Sequence, residues 1–351
     1  MAVTLFRHLT LAGCVYSLAC GAVAQTTSHD LLHEAIEVLS TNALGRERID
    51  WVALEAELRR SLRADAPAQA AHAAITEAVK RLNDPHARYI IPEPIVEAPP
   101  TTPEPTEPSE PTRNSEAPKH PPIPVLPEGK MLDDGCAYLV IPGCPAPDVA
   151  GLRAFARALS DQLDKLNKDD PRAWIIDLRL NAGGNLWPML LGLEPILGRG
   201  AKMTMVTNER VQSRFGVSRD SVWVDWGVGP ESQLDWGSDG APQVMPYFAG
   251  RVGVLIGPWT MSSGEALAIC LASRANTRTF GEPTAGLTTV TNTFQLSDGS
   301  VLNIPVSQVG DHTGAPIIGP VKPMQPEKFG DWPSEDDEAA RAARRWALEQ
   351  P

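Results

Sequence analysis

Hydrophobic positions along the chain fall into distinct regimes. Between residues 28 and 90 they recur at helical spacing: Leu32, Ile36 and Leu39, then Leu54, Leu58 and Leu62, then Ala71, Ile75, Val79 and Leu82. That spacing predicts a small helical subdomain ending in the segment RLNDPHARYI. From about residue 128 short apolar runs alternate with helical patterns. Cys136–Ile141, WIIDLRL (174–180) and GVLIG (253–257) read as buried strands. Leu152, Phe155, Leu159, Leu163 and Leu166 form one helical face, and Leu186–Leu197 and SSGEALAICLASR read as further helices. Two later strands are expected at 290–296 and 301–309, turned by Asp298-Gly299. This alternation predicts an α/β core over residues 128–330. Residues 334–349 read as a closing helix, with Ser334 as its cap and acids in its first turn.

Composition separates the first two regimes. Thirteen of the 33 prolines fall between Pro92 and Pro127, in a stretch with six Glu and no Asp. Repeated proline fixes φ and removes backbone donors, so 92–127 reads as a solvated acidic linker. At the start, Arg7 and His8 precede an uncharged run, Leu9–Ala24, that closes on Ala22-Val23-Ala24. This order predicts a secretory signal peptide over residues 1–24, hence a periplasmic or secreted protein. The run is too short for a comfortable membrane span. Leu11-Ala12-Gly13-Cys14 also fits a lipobox, which makes a lipid anchor at Cys14 the minor alternative.

The charge narrows the partners. Lys plus Arg number 31 against 43 Asp plus Glu, a formal net charge of −12. Such a chain without a basic cluster is a poor binder of nucleic acid or anionic membranes. Beyond residue 24 the cysteines are Cys136, Cys144 and Cys270. An extended run from Cys136 to Cys144 would separate them by roughly 26 Å, too far for a disulfide. No metal-ligand spacing occurs, so no metal is expected, and none of the candidate chemistry below calls for an organic cofactor.

Three segments carry candidate chemistry. In GVLIGPWTMSSGEALAICLASR a strand enters a short turn, and Ser262, Ser263 and Glu265 open a helix. A serine there suits nucleophilic attack, with the helix N–H groups available to an oxyanion. Ser262-x-x-Glu265 is equally a capping box. Gly183-Gly184, after a buried strand, can adopt φ > 0 and point backbone N–H groups at a ligand, or can simply form a turn. His86, in Asp84-Pro85-His86, has the chemistry of a general base, although by itself it is not distinguished from His72 or His312.

The ordered motifs DLRLNAGG, TMSSGEALA, FGEPTAGLTTV and LSDGSVLNI together resemble the C-terminal processing peptidases, or tail-specific proteases, over roughly residues 130–325. These are serine peptidases with a ClpP/crotonase-like spiral α/β core. The resemblance implies a protein or peptide substrate, Ser262 as nucleophile, and Gly183, Gly184 and the Ser263 N–H at the oxyanion hole. Many members take their base from a Thr-x-Gly-Lys segment. Here it reads Thr284-Ala285-Gly286-Leu287, and leucine accepts no proton. His86 matches instead the histidine-using, tricorn-like branch, in which the base precedes the core. That branch has a late carboxylate, and the comparable PIIGPVKP has none. Glu265, Glu282 and Asp311 remain as candidates to orient the histidine. The linker occupies the place of a peptide-reading PDZ module, and Trp223, Trp226 and Trp236 are candidates to line a cleft. Two functions follow: an exported serine endopeptidase, or a non-catalytic binding protein that keeps the fold.

Overall fold

The computed structural model describes residues 26–63, 66–91, 123–207, 210–242, 245–328, 330 and 332–349. The expected signal peptide, Cys14 and residues 92–122 of the expected linker lie outside the described residues.

Two sheets organise the chain. The first has six strands in the order 325–326, 277–281, 252–256, 173–177, 136–140 and 128–131. All neighbours are parallel except the last pair. Its central strands Ala173–Asp177 and Val252–Ile256 are buried along their whole length, as expected for parallel strands covered on both faces. On one face lies the helix Val149–Asn167, which buries Leu152, Phe155, Leu159, Leu163 and Leu166. The Asp148 carboxylate caps it by accepting from the Gly151 N–H at 2.8 Å. On the other face packs the closing helix Glu338–Leu348, through Ala339, Ala340, Ala343 and Ala347.

The closing helix starts later than its sequence suggested. Asp337, not Ser334, is the cap, accepting from the Ala340 N–H at 2.9 Å. The same carboxylate also pairs with the wholly buried Arg179. A charged acceptor that serves both partners displaces the serine hydroxyl. The expected helix 186–197 is likewise two pieces, Leu186–Gly192 and Glu194–Leu197, with Pro195 in the first turn of the second.

The second sheet is antiparallel and largely unforeseen. A meander of Gly200–Thr207, Arg210–Val217, Ser221–Asp225 and Pro230–Asp235 occupies the stretch that offered only scattered tryptophans. Gly200–Thr207 pairs with Val301–Gly310, which also carries Thr289–Gln295. The helical subdomain consists of Ser28–Asn42, Trp51–Arg59 and His72–Lys80. Its last residues depart from the helical pattern: Arg88–Ile90 is a strand pairing with Val301–Asn303. Leu31, Leu39 and Ile75 form one core with Leu296, Leu302 and Ile304 of the second sheet. The subdomain is thereby fastened to the β-hairpin rather than to the parallel sheet.

Candidate active site

Strand Val252–Ile256 leads through a tight loop into helix Ser263–Ala272. Buried Thr260 ties that loop down: its hydroxyl accepts from the Gly257 N–H at 3.0 Å and donates to the Leu178 carbonyl at 2.9 Å. The turn then places Ser262 at φ 52°, ψ −116°. A side-chain-bearing residue rarely occupies that region, and holding it there costs about 1–3 kcal/mol.

Glu265 shows what sustains this strain. Its carboxylate is wholly buried and accepts from the Ser262 N–H at 2.9 Å. It also accepts from the Gly286 and Leu287 N–H groups at 2.8 and 2.7 Å, and from the Thr284 hydroxyl. Four donors satisfy a charge that would otherwise be costly to bury. The leucine in the lysine position is therefore part of the clamp through its backbone.

Opposite the turn stands Asn181, also wholly buried. Its carbonyl accepts from the Met261 N–H at 2.9 Å, and its side-chain oxygen accepts from the Gly183 N–H at 3.0 Å. Gly183 and Gly184 have φ of 95° and 98°. A Cβ on Gly183 would meet Ser262 Cβ at 2.9 Å, and one on Gly184 would meet the Cys144 carbonyl oxygen at 2.1 Å. Only glycine fits at both positions. Because Asn181 engages the Gly183 N–H, that group is not open to an oxyanion. Among the described residues the N–H groups of Gly184 and Ser263 have no protein acceptor. The Ser263 hydroxyl donates to the Gly184 carbonyl at 2.5 Å, joining the two segments.

His86 arrives from the helical subdomain, 176 residues earlier in the chain. Its Nε2 lies 3.0 Å from Ser262 Oγ. The Asp84 carboxylate accepts from the His86 backbone N–H at 2.8 Å, which fixes the turn. The other ring nitrogen, Nδ1, lies 3.0 Å from Thr289 Oγ1. Burial lowers the His86 pKa below the ordinary histidine value. Asp84 and a backbone hydrogen bond with Thr289 oppose that shift, and Arg88 adds to it.

Thus Ser262, Ser263, Gly183, Gly184 and His86 converge, whereas the expected acid does not. Glu265 bonds to the turn that carries Ser262 and not to the imidazole. The Asp311 carboxylate accepts from the Thr313, Gly314 and Ala315 N–H groups, and Glu282 makes no hydrogen bond to His86. Where an orienting acid was expected, His86 Nδ1 meets Thr289 Oγ1, a residue that no local signal singled out among the neighbouring threonines. His72 pairs with Asp298 at 2.8 Å, away from Ser262.

Beside Ser262 opens a cavity of about 240 Å³, walled chiefly by Leu186, Trp187, Met203, Phe215, Val290 and Val309. Trp187 stacks on Phe215 with centroids 5.4 Å apart. Trp223, Trp226 and Trp236 are not part of this wall; Trp236 is buried in the core, and its indole N–H donates to the Arg219 carbonyl at 2.9 Å.

Known proteins share this arrangement of the chain. A nisin-resistance protein from Lactococcus lactis subsp. lactis is 34% identical over 168 residues, 48% of this chain and 50% of that protein. The chain thus matches about half the length of this curated relative. A lipoprotein from Streptococcus agalactiae superposes with a TM-score of 0.63 at 17% identity, covering 95% of this chain and 98% of the other. A photosystem II D1 C-terminal processing protease gives 0.58 at 16% identity, covering 92% and 98%. These two show the fold. The family model of Peptidase family S41 matches residues 135–324, more than half of the sequence and including Gly183, Gly184 and Ser262. The chain belongs to Peptidase family S41.

Proposed function

We propose that the protein is an exported serine endopeptidase in which Ser262 is the nucleophile and His86 the base. The observation that carries this reading is the 3.0 Å contact between Ser262 Oγ and His86 Nε2, opposite the unpaired N–H groups of Gly184 and Ser263. With Nδ1 carrying its proton toward Thr289, Nε2 accepts the Ser262 hydroxyl proton as Oγ attacks a peptide carbonyl. The carbonyl oxygen gains negative charge and is held by the Gly184 and Ser263 N–H groups. One such donor is worth about 3–4 kcal/mol in other serine enzymes. His86 then protonates the leaving amine. Water, deprotonated by His86, releases the acid from Ser262. Thr289 and Asp84 position the ring, and Glu265 positions the nucleophile turn.

Among the described residues the cavity wall contains no Lys or Arg, so they offer no cation to a substrate's terminal carboxylate. That favours cleavage within a chain, next to an apolar side chain. Export is supported by the signal-like first 24 residues and by the similarity to a streptococcal lipoprotein.

Leu287, standing where many members have lysine, is the observation behind a second reading: a binding protein without hydrolysis. A fluorophosphonate probe separates the two. The peptidase reading expects one covalent adduct, mapped by mass spectrometry to Ser262 and absent from Ser262→Ala. A folded wild type that takes no label supports the binding protein.

A further inference from the structure

The far end of the helix that begins at Ser263 borders a second cavity, of about 730 Å³. It lies about 15 Å from Ser262, since ten helical residues rise about 1.5 Å each. Its lining includes Arg199, Lys202, Arg219 and Arg274 against a single carboxylate, Glu194. Four cations around one cavity are a marked departure in a chain of net charge −12.

Two of these cations are explained by their neighbours. Arg274 donates to the Ile196, Ala275 and Gly250 carbonyls at 2.8, 2.8 and 2.9 Å, closing off the end of the helix. Arg199 pairs with Glu194 at 2.7 Å. The other two are not matched. Lys202 is only 8% exposed, and its Nζ donates to two backbone carbonyls, Leu197 at 2.9 Å and Arg199 at 3.3 Å. Among the described residues the third N–H finds no acceptor, and Glu194 is already bound to Arg199. Among the described residues the Arg219 guanidinium has no hydrogen-bond or ion-pair partner. A nearly buried ammonium held only by neutral oxygens is expensive unless a counter-charge reaches it. Burial pushes its pKa down accordingly.

We propose that this cavity binds a small multivalent anion, carrying carboxylate or phosphate groups, through Lys202 and Arg219. Lys202 supplies a point charge from the cavity floor, and Arg219 a planar fork from the rim. The half-exposed Tyr247 ring flanks the entrance. The site shares no lining residue with the catalytic cavity, so its occupancy does not depend on hydrolysis at Ser262.

Isothermal titration of the full chain with pyrophosphate and, separately, with citrate tests the proposal. The expected result is saturable one-to-one binding of at least one probe, which also names the anionic group preferred. Arg219→Ser should weaken it at least tenfold and Lys202→Met should abolish it. Arg214→Ser, an exposed arginine outside the cavity, should leave it unchanged. Arg219 is exposed, so its variant keeps the test decisive if Lys202→Met does not fold. Absence of saturable binding for both probes, or affinity unaltered by Arg219→Ser, overturns the proposal.

Discussion

The proposed nucleophile, Ser262, and the proposed base, His86, are held in opposite ways. Ser262 sits between a fully buried strand and an apolar helix, in a strained conformation, clamped by a buried carboxylate with four donors. His86 sits in a turn beside a three-residue strand, held by an Asx contact and a threonine hydroxyl. Their cores differ as well: the nucleophile helix belongs to the parallel-sheet core, and the base to the helical core fastened on the hairpin. Strain at a nucleophile persists only where its surroundings over-determine it. A base needs less, because its ring must only reach the hydroxyl with the right nitrogen unprotonated. The difference teaches that damage on the two sides should look different: loss of stability on one, loss of rate on the other.

The largest effect is expected on the nucleophile side. Glu265→Ala leaves four donors unpaired in the interior and should cost about 3–5 kcal/mol in chemical denaturation, with activity lost as well. A loss under about 1 kcal/mol would contradict the clamp. Gly183→Ala should reduce kcat/KM by about a hundredfold or more, because its Cβ meets Ser262 Cβ and Met261 O at 2.9 Å with φ at 95°. Its stability to denaturant should fall as well, because the added Cβ meets the Met261 backbone carbonyl rather than a flexible side chain.

The base side should respond in rate alone. Thr289→Val should lower kcat/KM by about tenfold to a hundredfold, shift the pH profile, and change stability by no more than about 1 kcal/mol. Thr289→Ser should restore most of the rate; equal loss in both variants would make Thr289 a packing residue only. The smallest effect is in the pH profile of the wild type. In the proposed mechanism neutral His86 is the working form, and burial lowers its pKa. Activity should therefore rise with pH and level off around an inflection below the ordinary value of about 6.5. An inflection above it would mean that the charged form is favoured, as an unseen acid beside the ring would require.

What could be read from the sequence follows physical locality. The parallel core was legible because its strands are continuous apolar runs and its helices carry apolar faces. Ser262, Gly183-Gly184 and His86 could be singled out together only through the resemblance carried by several ordered motifs, since each alone had a plain structural reading. The meander was not: Arg210–Val217 and Pro230–Asp235 carry polar residues on their solvent face and, at these lengths, give only a weak period-two pattern. Thr289 could not be found, since a threonine at a strand start acquires its role only from a histidine 203 residues away. The Ser262-x-x-Glu265 spacing was visible, but not that its carboxylate also gathers Thr284, Gly286 and Leu287. Only the fold shows that Glu265 braces the turn and does not reach the imidazole.

The central claim is that Ser262 and His86 act as one unit across two separately packed regions. A double-mutant cycle on hydrolysis of an internally quenched peptide tests it most directly. Ser262→Ala and His86→Ala should each lower kcat by about 10⁴-fold or more, and the double variant should be no slower than either single one. Additive losses, or hydrolysis that survives Ser262→Ala, would contradict the account.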